Sequence, residues 1–155
     1  MSEPDVVSGA HAGCWRRPCG PLRSAASVTS ALPKRVLVVD DDKEILVLLE
    51  RVLQADGYEV VTTTDGAEAL LACEREPFAL ILLDLMMPKM DGEMFLGRLR
   101  AKLGAKTPPV VVLSASSKRA DVARAYGAAA TLEKPFELED VRELVETLLL
   151  RGSRP

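Results

Sequence analysis

The sequence predicts an α/β fold, an open, doubly wound sheet of five parallel strands with one helix after each strand. Five short apolar runs alternate with five longer helical segments from residue 34 onward. The runs are apolar at successive positions, as strands buried on both faces of a parallel sheet are. Short connections and right-handed crossovers between such strands produce a doubly wound sheet.

Each element can be placed from its pattern and its boundary residues. The predicted strands are Arg35–Val39, Glu59–Thr62, Ala79–Leu83, Val110–Leu113 and Ala129–Leu132. The predicted helices are Lys43–Ala55, Gly66–Arg75, Gly92–Leu103, Lys118–Tyr126 and Glu137–Leu150. Gly57, Gly104, Gly127 and Gly152 stand where four of these helices should stop. Asp65 is a predicted N-cap, with Glu68 three residues later as in a capping box.

Composition indicates one soluble globular domain with a tail. The chain has 155 residues, of which 48% are hydrophobic and 28% charged. A net charge of −3 disfavours broad electrostatic binding to nucleic acid or to an anionic membrane. No apolar stretch reaches the roughly 18 residues that span a bilayer. The odd, scattered set of Cys14, Cys19 and Cys73 is no disulfide framework, so we expect a cytoplasmic protein.

The two ends of the chain differ from its middle. Residues 1–33 are rich in proline, glycine, serine and alanine without apolar periodicity, which predicts a disordered N-terminal tail. The ordered domain is then 34–151, followed by a short C-terminal tail at 152–155. His11, Cys14 and Cys19 could be metal ligands, but three ligands at irregular spacing are a weak case.

Polar residues stand at the carboxyl ends of the predicted strands, where functional groups of doubly wound sheets gather. They are Asp40, Asp41 and Asp42 after the first strand, Asp84 after the third, Ser114 after the fourth and Lys134 after the fifth. Converging carboxylates repel one another, and a hard divalent cation such as Mg²⁺ relieves this repulsion. The lysine ammonium would balance the remaining charge, and the serine hydroxyl would donate to an incoming oxyanion. This set suits phosphoryl transfer to a carboxylate.

Structural explanations compete with these roles. The consecutive aspartates could charge and cap a helix N-terminus, which is the simpler explanation for Asp42. Ser114 could be the N-cap of the fourth helix, and Lys134 could be a solvated lysine. Asp84 follows five apolar residues, so a structural explanation is hard to find for it. A cis bond before Pro135 would fix its loop and aim the lysine inward.

Four motifs resemble the receiver domains of two-component response regulators. They are RVLVVDDDKEI at 35–45, LILLDLMMPKMDG at 80–92, VVVLSAS at 110–116 and LEKPF at 132–136. All four occur in the family's order and with family-like spacing, over residues 34–151. The resemblance implies a flavodoxin-like (βα)5 fold with strand order 2-1-3-4-5.

The resemblance also implies a role for each residue at the strand ends. Asp84 is the implied phosphoacceptor, Ser114 the switch hydroxyl and Lys134 the partner of a phosphoryl oxygen. The implied Mg²⁺ ligands are Asp40, Asp41, Asp84 and the backbone carbonyl of Met86. The phosphoryl donor is a sensor histidine kinase or a histidine phosphotransfer protein. The resemblance therefore implies a phosphoacceptor signalling domain and not an enzyme, although such a domain assists its own phosphorylation and dephosphorylation.

The same resemblance predicts how the signal leaves the domain. Phosphorylation changes the face formed by the fourth helix, the fifth strand and the fifth helix. The chain ends soon after Arg151, so we expect a stand-alone receiver without direct DNA binding, either a monomer or a phosphorylation-dependent dimer. A downstream partner, unknown from the sequence, would contact the fourth helix. The candidate contact residues are Lys118, Arg119, Asp121, Arg124 and Tyr126, although a solvated helix face explains them equally well.

Three positions bear on switching and on phosphoryl lifetime. Thr131 stands where the family often has Tyr or Phe, three residues before the lysine. A small side chain cannot bury and expose a ring, so the aromatic part of the usual switch is in doubt, unless Thr131 is an ordinary strand residue. Met86 and Ser116 occupy the two positions that modulate access of hydrolytic water in the family.

Other functions are compatible with parts of this pattern. A receiver-like scaffold could bind a partner without phosphorylation. A haloacid-dehalogenase-type phosphatase would use Asp40 as nucleophile, because Asp40 and Asp42 have the Asp-x-Asp spacing. Against this, Lys43 stands where those enzymes have Thr or Val, and no cap domain fits in this length. A flavin is disfavoured because the acidic loop after the first strand would repel its phosphate.

Overall fold

The structure is a computed structural model that describes residues 34–152, apart from the side chains of residues 118–120, 122 and 152. The predicted N-terminal tail, with His11, Cys14 and Cys19, lies outside the described residues, as do residues 153–155. No described helix is both long enough and apolar enough to cross a membrane.

Strands and helices alternate through the described residues in the predicted order. The strands are β1 Arg35–Val39, β2 Glu59–Thr63, β3 Leu80–Asp84, β4 Val110–Ser114 and β5 Ala130–Glu133. The helices are α1 Lys43–Ala55, α2 Gly66–Arg75, α3 Gly92–Leu103, α4 Ser117–Ala125 and α5 Leu138–Gly152. A 3₁₀ turn, Gly104–Lys106, follows α3. The first strand and the first three helices match the predicted bounds, and the other bounds differ by one or two residues.

The sheet is parallel throughout, with strand order β2-β1-β3-β4-β5. This confirms the predicted doubly wound fold and its order 2-1-3-4-5. Chain order reverses between the neighbours β1 and β3, which is the switch point where such sheets open a crevice. In the register, Val39 lies opposite Leu83 and Asp84 lies opposite Leu113, so these three strands end at one level.

Two layers of helices cover the sheet. Val36 and Val38 of β1 face α1 and α5, whereas Leu37 and Val39 face α2, α3 and α4, since successive strand residues point to opposite faces. All residues of β3 and β4 are buried. The prediction that every strand is buried on both faces is wrong for β2 and β5, whose residues are half-buried or exposed. Both are edge strands, so each pairs on one side only and is open to solvent on the other.

Helix starts are capped largely as predicted. Asp42 is the N-cap of α1, and its carboxylate accepts a hydrogen bond from the backbone N–H of Glu44 at 2.9 Å. Asp65 caps α2 in the same way. The predicted capping box is absent, because the Glu68 carboxylate accepts from the Thr63 hydroxyl at 2.9 Å. That hydroxyl in turn accepts from the backbone N–H of Asp65 at 3.1 Å, so threonine satisfies the donor that the box would have bound.

Candidate functional site

Predicted site residues stand at the carboxyl ends of four strands of the sheet. Asp84 and Ser114 are the last residues of β3 and β4, and Asp40 and Lys134 directly follow β1 and β5. Asp40 continues the β1 ladder by donating its backbone N–H to the Thr63 carbonyl at 3.2 Å. The backbone N–H of Lys134 donates to the Ser114 carbonyl at 2.8 Å, which ties the loops after β4 and β5 together.

A cluster of three carboxylates forms the floor of this edge. Asp40, Asp41 and Asp84 each offer an oxygen, and these oxygens lie within 4.8 Å of one another. Asp40 and Asp84 are 0% and 4% exposed, whereas Asp41 is exposed to solvent. An all-oxygen set with one side open to water is the arrangement that Mg²⁺ prefers, because this ion keeps part of its water shell. The donor set therefore fits Mg²⁺.

Lys134 is the cation of the cluster. Its Nζ lies 2.9 Å from Asp40 Oδ2 and 3.6 Å from Asp84 Oδ1, so in this state it pairs more closely with Asp40. Burial alone would lower the pKa of Lys134, but the two carboxylates outweigh burial and raise it above its usual value. The ammonium is therefore charged at neutral pH. The Lys134–Pro135 peptide bond is cis, as predicted.

The surroundings of Asp84 shift the pKa of its carboxyl group. Burial raises the pKa of Asp84 to about 6, and the nearby Asp40 charge adds to the rise. The backbone N–H of Met86, which donates to Asp84 Oδ1 at 3.1 Å, opposes this rise, as does Lys134. Asp84 is consequently still ionised at neutral pH, and one of its oxygens has a fixed hydrogen-bond partner.

The loop between β3 and α3 is held close to Asp84. The backbone N–H of Gly92 donates to the Leu85 carbonyl at 3.1 Å. A Cβ at Gly92 would lie 2.8 Å from Leu85 Cα and 3.2 Å from the Asp84 carbonyl oxygen, so only glycine fits. The start of α3 thus packs on the backbone of Asp84 and Leu85. Met86 lies in this loop with its side chain 53% exposed, and the ligand role of its carbonyl stays a prediction.

Ser114 is buried, and its hydrogen bonds are local. Its hydroxyl donates to the Ser116 carbonyl at 3.0 Å and accepts from the Ser116 N–H at 3.1 Å. In this conformation it makes no described hydrogen bond to Asp84. The helix that follows begins at Ser117, so Ser114 is not its N-cap residue. A hydroxyl held by the backbone of its own loop can reach a phosphoryl group only if that loop changes.

Sequence reasoning missed one contact on the predicted output face. The guanidinium of Arg124, in the last turn of α4, donates from Nη2 to Thr131 Oγ1 on β5 at 3.1 Å. Both residues stood out in the sequence separately, yet nothing in their spacing shows that they meet. Asp121, Arg124 and Tyr126 are exposed as predicted, whereas the side chains of Lys118 and Arg119 are outside the described part of the structure.

Comparison with known proteins decides the family. The sequence model described as response regulator receiver domain matches residues 36–146. The chain belongs to the receiver domain family of response regulators. This receiver domain is 44% identical over 126 residues to the transcriptional regulatory protein PrrA of Mycobacterium tuberculosis, a match that covers 79% of this chain and 53% of PrrA. It spans about half the length of the curated relatives that it matches.

Solved receiver structures agree with this assignment. The chemotaxis response regulator CheY4 of Vibrio cholerae is similar with a TM-score of 0.71 and 32% identity, over 76% of this chain and 99% of CheY4. The response regulator TrrA of Thermotoga maritima, solved in complex with Mg²⁺ and BeF, has a TM-score of 0.67 and 34% identity, over 74% of this chain and 98% of TrrA. The predicted family and fold are both confirmed.

Proposed function

We propose that this receiver domain accepts a phosphoryl group on Asp84 from the phosphohistidine of a sensor histidine kinase or a histidine phosphotransfer protein, in a Mg²⁺-dependent reaction. One observation carries the proposal. A buried carboxylate ends a central strand with two further carboxylates within 4.8 Å and a lysine ammonium 3.6 Å away. Such a group of acids is costly to hold together without a cation, and it combines a nucleophile with charge neutralisation.

Each residue of the site would have its own role in phosphoryl transfer. An ionised oxygen of Asp84 attacks phosphorus, the P–N bond to the donor imidazole breaks, and the imidazole leaves as it takes a proton. The N–H of Met86 keeps the other carboxylate oxygen oriented. Mg²⁺, held by Asp40, Asp41, Asp84 and the Met86 carbonyl, would supply positive charge for the phosphoryl oxygens. Lys134 would pair with one of these oxygens, as would the Ser114 hydroxyl.

Loss of the hydrogen bonds between Ser114 and Ser116 would carry the signal from the phosphorylation site to the surface of the domain. To reach the phosphoryl group, its hydroxyl has to leave Ser116, and α4 begins one residue after Ser116. The change therefore passes into α4 and the neighbouring β5 and α5. We infer that this face binds a downstream partner or a second copy in the cytoplasm. That the domain acts alone, without direct DNA binding, stays a prediction, and curated relatives are transcriptional regulators of about twice the matched length.

The test uses a small phosphodonor. We expect the full chain, incubated with Mg²⁺ and acetyl phosphate, to gain about 80 Da in intact mass, the addition of one phosphoryl group. Asp84→Asn should gain nothing, and Glu143→Gln, which removes an exposed acid of α5, should gain as the parent does. Labelling of Asp84→Asn would contradict the proposal. If Asp84→Asn is labelled and Asp40→Asn is not, the result favours the phosphatase-like use of Asp40. A folded, Mg²⁺-binding parent that never gains mass would indicate a phosphate-independent scaffold.

A further inference from the structure

The contact between α4 and β5 has a polar character in this chain. Arg124 Nη2 donates to the Thr131 hydroxyl at 3.1 Å, while Nη1 of the same guanidinium lies 3.9 Å from the Asp121 carboxylate. Asp121 belongs to α4 itself, so that second contact stays within the helix. Thr131 is half-buried on the edge strand β5. The guanidinium thus spans from the helix to the strand.

The side chains of α4 that the structure describes contribute little apolar packing. Among the side chains of α4 that the structure describes, Ala123 alone is buried. At the end of the helix, Arg100 of α3 donates to the Gly127 carbonyl at 3.1 Å, and its guanidinium fills the space where a Cβ of Gly127 would stand. That contact holds α4 to α3 and not to β5. Most described side chains of α4 are exposed, so the polar contact of Arg124 with β5 stands out among the described interactions that hold this helix to the strand.

Arg124 and Thr131 are each joined to one of the groups that must approach the phosphoryl group. Ser114 directly precedes the loop that starts α4, and Lys134 follows the end of the strand that carries Thr131. At the site, the N–H of Lys134 is bonded to the Ser114 carbonyl. The hydrogen bond between Arg124 and Thr131 joins the same two segments a second time, at a distance from Asp84. A displacement of Ser114 and α4 relative to β5 would therefore move the Arg124 donor away from Thr131, and this hydrogen bond at 3.1 Å is already near the upper end of the usual range of about 2.7–3.2 Å.

Accepting that Asp84 is phosphorylated, we propose that the Arg124–Thr131 hydrogen bond is a latch that holds α4 against β5 in the unphosphorylated conformation, with Arg124 as a positioning residue for the switch. The latch stabilises the state in which Ser114 is bonded to Ser116. Opening it shifts the population toward the state in which the hydroxyl reaches the phosphoryl group. The latch therefore limits how readily the domain is phosphorylated, and it takes the place of an aromatic residue at position 131.

The test compares phosphorylation rates of full-length variants with acetyl phosphate and Mg²⁺, followed by intact mass. Thr131→Val removes the acceptor and keeps the branched shape, and Arg124→Met removes the donor at an exposed position while keeping a long, unbranched side chain. Each should raise the rate about two- to fivefold, the range expected for loss of one exposed charged contact. The double variant should be no faster than either single variant, because both open the same latch. Thr131→Ser, which keeps a hydroxyl, should have the parent rate.

Asp121→Asn is the matched control, because it removes the other partner of the same guanidinium without touching β5. It should have the parent rate. Single-variant rates equal to that of the parent, or additive effects in the double variant, would overturn the latch. A merely structural contact would lower the thermal unfolding midpoint of Thr131→Val and leave the rate unchanged. If the parent itself is never labelled, the proposed function fails, and this is distinct from a labelled parent whose rate the variants do not alter.

Discussion

Replacing Asp84 by asparagine should make the metal-free protein more stable. The carboxylate is buried beside Asp40, and its pKa is raised to about 6 because burial and the neighbouring charge disfavour its ionised form. An unfolded aspartate has a pKa near 3.9. At pH 7.5 the ionised Asp84 carboxylate therefore lowers the free energy of unfolding. Asparagine carries no charge, so the substitution removes this destabilisation. Its amide oxygen can keep the hydrogen bond from Met86.

The size of the effect follows from linkage. A difference of about two pKa units, at roughly 1.4 kcal/mol for each, sets an upper limit of about 3 kcal/mol. Asparagine gives up the weaker of the two contacts of Lys134, the one at 3.6 Å, while the Asp40 contact at 2.9 Å remains. We therefore expect a net gain of about 2 kcal/mol, which raises the unfolding midpoint of a domain of this size by roughly 8 °C.

The sign of the pH dependence gives a second check. The folded pKa of Asp84 lies above the unfolded value, so the contribution of this group to the stability of the parent is fully present below pH 4 and is lost as pH rises through about 6. The advantage of Asp84→Asn should be near zero at pH 4 and reach its plateau above pH 7. Thermal unfolding in a chelator at several pH values measures this, with Glu143→Gln as a matched loss of one exposed charge. An unchanged or lower midpoint for Asp84→Asn at pH 7.5 would refute the reasoning.

Three further outcomes follow from the geometry. Lys134→Met leaves two buried carboxylates without a cation, so the rate of phosphorylation by acetyl phosphate should fall at least about tenfold. If labelling is restored at high Mg²⁺, the charge of Lys134 alone matters for the reaction. Gly92→Ala should lower the free energy of unfolding, measured in urea, by at least about 2 kcal/mol, because the added Cβ meets the Leu85 backbone. Gly97→Ala in the same helix has open space around the added Cβ, so it should raise that free energy by up to about 1 kcal/mol. Burial raises the pKa of Cys73 to about 11, so peptide mapping after iodoacetamide at pH 8 should find it unmodified in the folded protein and modified only in denaturant.

The sequence was most informative where a residue type has one strong structural meaning. Apolar runs predicted the three central strands, which are buried on both faces, and Asp42 and Asp65 cap the helices they precede. The same rule failed at the sheet edges, because an apolar run does not say how many neighbours its strand has. Residue spacing also did not predict the role of Thr63. This last residue of β2 binds both Glu68 and the backbone N–H of Asp65, so the predicted capping box does not form.

The candidate site was predictable in its members but not in its internal pairing. The motifs named the acids, the hydroxyl and the lysine, and the sheet brought the acids and the lysine together. Whether Lys134 lies nearer to Asp40 or to Asp84 depends on tenths of an ångström set by loop packing. The contact of Arg124 with Thr131 depends likewise on how α4 lies against β5. Side-chain pairings of this kind arise from tertiary packing, and a one-dimensional pattern does not record them.

The two hydrogen bonds between Ser114 and Ser116 bear on how reversible the switch is. When the hydroxyl turns toward a phosphoryl oxygen, it exchanges backbone partners for a new acceptor instead of leaving an unsatisfied buried group. Ser116 is itself half-buried, so water can take over the N–H and the carbonyl that are released. In the proposed phosphorylated state, the switch would therefore leave few buried polar groups without a partner. On the proposed mechanism, hydrolysis of the phosphoryl group removes the new acceptor, and the hydroxyl returns to its two hydrogen bonds with Ser116.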